Sequence, residues 1–168
     1  WQPLSIKNSH QSKTVINKKQ CHTLNIPMDI IMTAHMSLYE LLKSNVVFQN
    51  LDRYQFGILE QYLTFRGIET GEYLFFEGEM GDYVAFVVAG GIEILKQLPD
   101  KQVTLVTLKP GDSIGEMALI DDLSRSASAK ATQRTGLIVL PKRDFERILI
   151  DHPRIGINIL KALASMLS

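Results

Sequence analysis

From Thr64 to Leu140, short runs of aromatic and β-branched residues alternate with Gly, Asp and Pro turns, while helical spacing holds on either side. The runs predict strands over 64–69, 72–76, 83–89, 91–97, 102–108, 125–132 and 135–140. Lys96–Gln102, with Pro99 and Asp100, reads as a hairpin loop, and Pro110-Gly111-Asp112 as a tight turn. Short strands at this spacing favour a closed or sandwiched all-β unit over a parallel sheet. Before them, Pro27 to about Lys43 carries a helical stripe of Ile30, Ile31, Met36, Leu38, Leu41 and Leu42. Asn45–Leu51 reads as a connector. Asp52, with Gln55 three residues on, marks the N-cap of a firmer helix whose Phe56, Leu59 and Leu63 share a face.

Helices return after Pro141. Phe145, Ile148 and Leu149 mark one face of the first, which ends near Asp151-His152, and Pro153 suits the first turn of the next. That last helix, about 154–167, is apolar nearly all round: Ile155, Ile157, Ile159, Leu160, Ala162, Leu163, Met166 and Leu167. A peripheral helix needs one wet face. This one predicts burial on two sides, against the barrel or its ligand and against a partner chain.

The expected fold is therefore mainly β with flanking helices (α+β), an antiparallel β-roll or jelly-roll barrel. Residues 1–35 form an N-terminal extension and 36–168 the domain, with its β core at about 64–141 and C-terminal helices at about 142–168. The 168 residues suit one domain with an extension. Eighteen acidic residues balance eighteen basic ones, so no global field favours nucleic acid or an anionic membrane. Residues 1–35 break the balance with Lys7, Lys13, Lys18 and Lys19 against Asp29, a pattern that reads as a solvated arm. Cys21 is the single cysteine, which favours a reducing, cytoplasmic setting. The longest apolar runs, around Tyr83–Ile92 and Ile155–Leu167, are too short or interrupted to span a bilayer, and no signal peptide is apparent. Starting at Trp1 rather than Met, the chain leaves room for residues upstream.

Candidate chemistry concentrates in Gly111–Ala129, which reads Gly-Asp-Ser-Ile-Gly-Glu-Met-Ala-Leu-Ile-Asp-Asp-Leu-Ser-Arg-Ser-Ala-Ser-Ala. Gly115 and Glu116 open a short helical turn, Met117-Ala118-Leu119-Ile120. Such a turn presents unpaired N–H groups at its start, a seat for a phosphate oxygen. Arg125 can close over the same oxygen with a planar, permanently charged fork. Glu116 can accept hydrogen bonds from sugar hydroxyls. Either residue alone reads as ordinary, Arg125 as a solvated strand arginine and Glu116 as a carboxylate at a helix start. Nine residues apart and framed by Gly115, Ala118 and Ser126-Ala127-Ser128, they suit a ribose phosphate.

Gly-Glu-x-Ala-Leu with Arg nine residues after the Glu resembles the phosphate-binding cassette of cyclic-nucleotide-binding domains, found in protein kinase A regulatory subunits, gated channels and the bacterial catabolite activator. Gly71-Glu72-Tyr73-Leu74-Phe75-Phe76-Glu77-Gly78-Glu79-Met80-Gly81-Asp82 and Phe86-Val87-Val88-Ala89-Gly90-Gly91-Ile92 are similar to the family's earlier blocks, so the resemblance covers roughly 45–168. It implies a non-catalytic sensor with ligand-binding residues Gly115, Glu116, Met117, Ala118, Arg125 and Ser126. Arg125 would pair with the cyclic phosphate, the N–H groups of Ala118 and Ser126 would bond its oxygens, and Glu116 would take the ribose 2′-hydroxyl. Leu119 matches the family's relay leucine, with Leu149 or Ile150 as hinge partners. Ser126, where Thr accompanies cGMP preference, resembles the bacterial type and favours cAMP. Ser124 replaces the family's usual Pro, and Ala85 a common Tyr.

Two other classes compete. A cupin-like barrel enzyme needs His and carboxylate ligands on the strands. His10, His22, His35 and His152 all lie outside them, so neither a metal site nor a cofactor is expected, and Ser113 has no His nearby in sequence. A ligand-free docking or dimerisation module of the same fold is disfavoured by the intact Glu116–Arg125 pair. A catabolite-activator-type regulator needs a helix-turn-helix after the long helix, and the chain reaches Ser168 before one fits, so no direct nucleic-acid contact is expected. The expected partners are a cyclic nucleotide and a second copy docked through residues 155–167.

Overall fold

The computed structural model describes residues 38–166 and residue 168. The extension over 1–35, Cys21, most of the helix expected from Pro27, and Leu167 lie outside the described residues. Among the described residues, helices α1 (Leu38–Leu42) and α2 (Arg53–Leu59) precede a 3₁₀ turn at Glu60–Tyr62. Strands β1 (Thr64–Ile68), β2 (Tyr73–Phe75), β3 (Tyr83–Ala89), β4 (Ile92–Gln97), β5 (Gln102–Leu108) and β6 (Ser113–Ile114) follow. A second 3₁₀ turn at Glu116–Leu119 leads to β7 (Ser128–Ala131), β8 (Thr135–Pro141), α3 (Lys142–Asp151) and α4 (Pro153–Met166).

Two four-stranded sheets form, ordered β1-β8-β3-β6 and β2-β7-β4-β5. Every pairing is antiparallel, giving the expected jelly-roll-like sandwich. Period-two alternation explains why β3 and β8 are apolar throughout. One face of each, Ala85, Val87, Leu137 and Val139, meets Leu74, Phe75, Ile92, Ala129 and Ala131 inside the sandwich. The opposite face, Val84, Phe86, Ile138 and Leu140, is covered by Phe48, Phe56, Phe145, Ile148 and Ile159 from the helical layer. Phe86 joins the two layers, its ring 4.6 Å from that of Phe48.

The cap on α2 is as expected: the Gln55 N–H donates to Asp52 Oδ1 at 2.8 Å and the Asp52 N–H to Gln55 Oε1 at 3.2 Å. Two elements differ from the sequence expectation, and a third, the expected connector, is more deeply buried than its sequence indicates. The connector 45–51 is a series of turns that buries Asn45, Val47, Phe48 and Leu51, with Asn45 Nδ2 donating to the Gly111 carbonyl at 2.8 Å. The strand expected from 125 starts at Ser128, because Arg125 is drawn aside into other hydrogen bonds. The short β6 went unforeseen; its two residues, Ser113 and Ile114, pair with Phe86 and Ala85.

Helix α4 buries Ile155, Gly156, Ile159, Ala162 and Leu163 on one side, while Ile157 and Met166 are exposed on the other. Gly156 lets the two C-terminal helices touch, since a Cβ there would fall 2.5 Å from Leu149 Cδ2.

Candidate functional site

The site is organised around Arg125. Its N–H donates to the Glu79 carbonyl at 2.7 Å, and its own carbonyl accepts from Gly78 N–H at 2.8 Å. The backbone is thereby clamped to the segment between β2 and β3, and the side chain is turned inward to 7% exposure. Nη2 donates to the Tyr83 carbonyl at 2.8 Å and Nη1 to the Gly115 carbonyl at 3.3 Å. The guanidinium carbon sits 4.2 Å from the Phe75 ring centroid and 4.8 Å from that of Tyr83, within cation–π range.

Gly115 makes this placement possible. Its φ of 77° is left-handed, and a Cβ there would lie 2.1 Å from Arg125 Nη1. The 3₁₀ turn starts immediately after, bringing Glu116, Met117 and Ala118 beside the guanidinium.

None of the ion pairs among the described residues includes Arg125, and its Nε has no hydrogen-bond partner. Burial pulls its pKa down, opposed by the nearby Tyr83, Asp82, Glu79 and Glu116. Arginine still keeps its proton at any physiological pH. Neutral carbonyls and aromatic faces orient the cation without cancelling its charge. A buried charge in this condition is costly, and an anion in the adjoining space would complete it.

That space is a cleft of about 390 Å³, within the range of small-ligand sites. All six predicted ligand-binding residues line it: Gly115, Glu116, Met117, Ala118, Arg125 and Ser126. The structure adds an apolar wall that was not foreseen, made by Ile94, Val106 and Leu108 with Phe75 and Leu123. Gly81 also lines the cleft, where a Cβ would come within 3.0 Å of the Ala118 Cβ. Lys96 Nζ donates to the Ser126 carbonyl at 2.7 Å and pairs with Glu77, anchoring the far end of the segment.

Several site expectations need correction. The Ala118 N–H donates to the Gly115 carbonyl at 3.1 Å, closing the 3₁₀ turn, so it is not a free donor. Ile150 is 79% exposed and takes no part in packing around Leu119. Leu149 does pack against the helical-layer core that contains Leu119. The last helix contributes no residue to the cleft lining, so it covers the outer face of the β3–β8 sheet rather than a ligand. Among the described residues, no group of three or more His, Cys, Asp or Glu side chains could hold a metal. No helix among them is long and apolar enough to cross a membrane.

The antiparallel roll thus presents a buried arginine, outside any ion pair among the described residues, to a cleft beside a left-handed glycine. The cyclic nucleotide-binding domain profile matches residues 65–152, and the chain belongs to that family. The cyclic AMP receptor protein of Thermus thermophilus is 29% identical over 127 residues, which is 75% of this chain and 59% of that protein. The cAMP-dependent protein kinase regulatory subunit of Yarrowia lipolytica is 34% identical over 120 residues, 69% of this chain and 32% of that protein. The chain thus spans less than two thirds of these curated relatives. The N-terminal domain of a transcriptional regulator from Streptomyces coelicolor superposes with a TM-score of 0.71 at 29% identity, covering 76% of this chain and 90% of that one.

Proposed function

We propose that the chain is a non-catalytic sensor that captures a cyclic nucleotide, cAMP in preference to cGMP, and passes occupancy to its C-terminal helices. The single observation behind this reading is Arg125, a buried cation that forms no ion pair among the described residues and lines a 390 Å³ cleft. A cyclic phosphodiester carries one negative charge, which one guanidinium neutralises. The Ser126 N–H, which takes part in no hydrogen bond among the described residues, supplies a second donor. Glu116 takes the ribose 2′-hydroxyl. The base lies against the aliphatic wall of Ile94, Val106 and Leu108, which offers area but no hydrogen bonds and so leaves purine choice to Ser126 at the rim.

The relay runs through the helical-layer core. Leu119, at the end of the cassette turn, shares that core with Ile148 and Leu149 of α3, so a shift of the turn on phosphate capture is felt by the helix pair. The exposed outer side of α4, with Ile157, Ala164 and Met166, is the surface on which a second copy would dock. The protein acts in the cytoplasm, where such messengers are made.

Calorimetric titration with cAMP and with cGMP tests the reading. Saturable binding of one cAMP per chain, tighter than cGMP, is expected. Equal affinity for the two would remove the selectivity assigned to Ser126, and binding of neither would remove the function.

A further inference from the structure

Resting on the sensor reading above, we propose that Lys142 is a positioning residue that ties both sides of the Arg125 cradle to the start of the C-terminal helix pair. Lys142 is the first residue of α3. Its Nζ donates to the Asp121 carbonyl at 2.7 Å and to Asp122 Oδ1 at 2.6 Å, and its backbone N–H donates to the Asp82 carbonyl at 2.8 Å.

Two of these acceptors, the Asp121 and Asp82 carbonyls, lead back to the cleft. Asp121 lines it, and the Asp121 N–H donates to the Met117 carbonyl at 3.0 Å, so this residue extends the cassette turn. Asp82 immediately precedes Tyr83, whose carbonyl holds Arg125 Nη2. One residue therefore joins the turn, the arginine cradle and the helix that must respond.

Local preference does not explain Lys142. The first turn of a helix favours acidic side chains, and a cation there opposes the macrodipole. Surface ion pairing does not explain it either. The Lys142 side chain is 19% exposed, whereas that of Asp122 is 89% exposed, so their ion pair is screened and weak. The better-protected contact is the charged bond to the Asp121 carbonyl, the one that reaches the cassette. The tie works through that backbone acceptor.

Hydrogen exchange on the full chain, with and without cAMP, tests this in wild type, Lys142→Met and Asp122→Asn. Methionine keeps the apolar stem and removes the donor. Without ligand, Lys142→Met should exchange roughly tenfold faster at the bonded amides of Asp121, Leu123 and Lys142 together, with β3 and β8 unchanged. Asp122→Asn should stay within about twofold of wild type, as expected for an exposed pair. With saturating cAMP, the change in protection over 153–166 seen in wild type should fall to less than half in Lys142→Met. Unchanged ligand-free exchange, or a full ligand response in Lys142→Met, would overturn the tie. Equal effects of the two substitutions would overturn its route through the Asp121 carbonyl. A wild-type chain giving no calorimetric heat with cAMP would overturn the sensor reading and the ligand-dependent half of this one. The ligand-free exchange decides the tether separately.

Discussion

Replacing Arg125 by glutamine should separate binding from folding. The amide side chain in Arg125→Gln would retain a donor for the Tyr83 or Gly115 carbonyl while removing the charge. In the free protein that charge is buried, forms no ion pair among the described residues and is disfavoured by desolvation. Its removal should change thermal stability little: losing a cation relieves desolvation, and losing one carbonyl bond costs about 1 kcal/mol. Binding should suffer far more. Two unit charges about 4 Å apart interact by roughly 4 kcal/mol at an effective dielectric near 20. Removing one partner of a buried charged contact typically costs about 2–5 kcal/mol. The dissociation constant for cAMP should therefore rise about 30- to 3,000-fold, read by calorimetry. Thermal scans should show a ligand-free Tm within a few degrees of wild type and a lost cAMP-induced rise. Unchanged affinity would refute the assignment of Arg125 to the phosphate. A collapse of the ligand-free Tm would refute the view that its charge is uncompensated.

Four further outcomes follow from the geometry. Gly115→Ala places a Cβ 2.1 Å from Arg125 Nη1 at a left-handed φ, so cAMP affinity should fall at least tenfold by titration, with a stability loss of about 1–2 kcal/mol in urea unfolding. Phe86→Ala removes the fully buried ring joining strand and helix layers and should cost about 3–5 kcal/mol in denaturant unfolding. Asp52→Ala breaks the capping box and should cost about 1 kcal/mol in the same assay, without altering ligand affinity. Glu60 has its pKa raised by burial, so its folded form holds the proton more tightly than the unfolded chain, and stability falls as pH rises through that window. Glu60→Gln should therefore raise Tm at pH 7, by an amount that vanishes as the pH drops below the carboxylate range.

Most of the sandwich was legible because its strands alternate between two buried faces and are punctuated by Gly, Pro and Asp. That Val84, Phe86, Ile138 and Leu140 form a face covered by helices emerges only from the packing. The Asp52–Gln55 box was readable because capping is local chemistry. The connector 45–51 was not, since the packing of Phe48 on Phe86 is a tertiary fact. Arg125 could be named but not described. Its withdrawal from strand β7 depends on Glu79 and Gly78, far upstream in the chain. The aliphatic wall was hidden for a similar reason. Ile94, Val106 and Leu108 look like ordinary strand residues until the β4–β5 pairing brings them to one side of the cleft. Ile150 misled because helical spacing leaves the choice between adjacent residues open, and packing chose Leu149.

The central claim is that the Arg125 guanidinium holds the phosphate of a cyclic nucleotide. Nitrogen NMR of the arginine side chains, with Arg125 assigned by comparison with Arg125→Lys, reads that contact directly. One equivalent of cAMP should shift the Arg125 guanidinium resonances and slow their proton exchange, with the other arginines little affected. If cAMP binds and the Arg125 resonances stay in place, the account is contradicted.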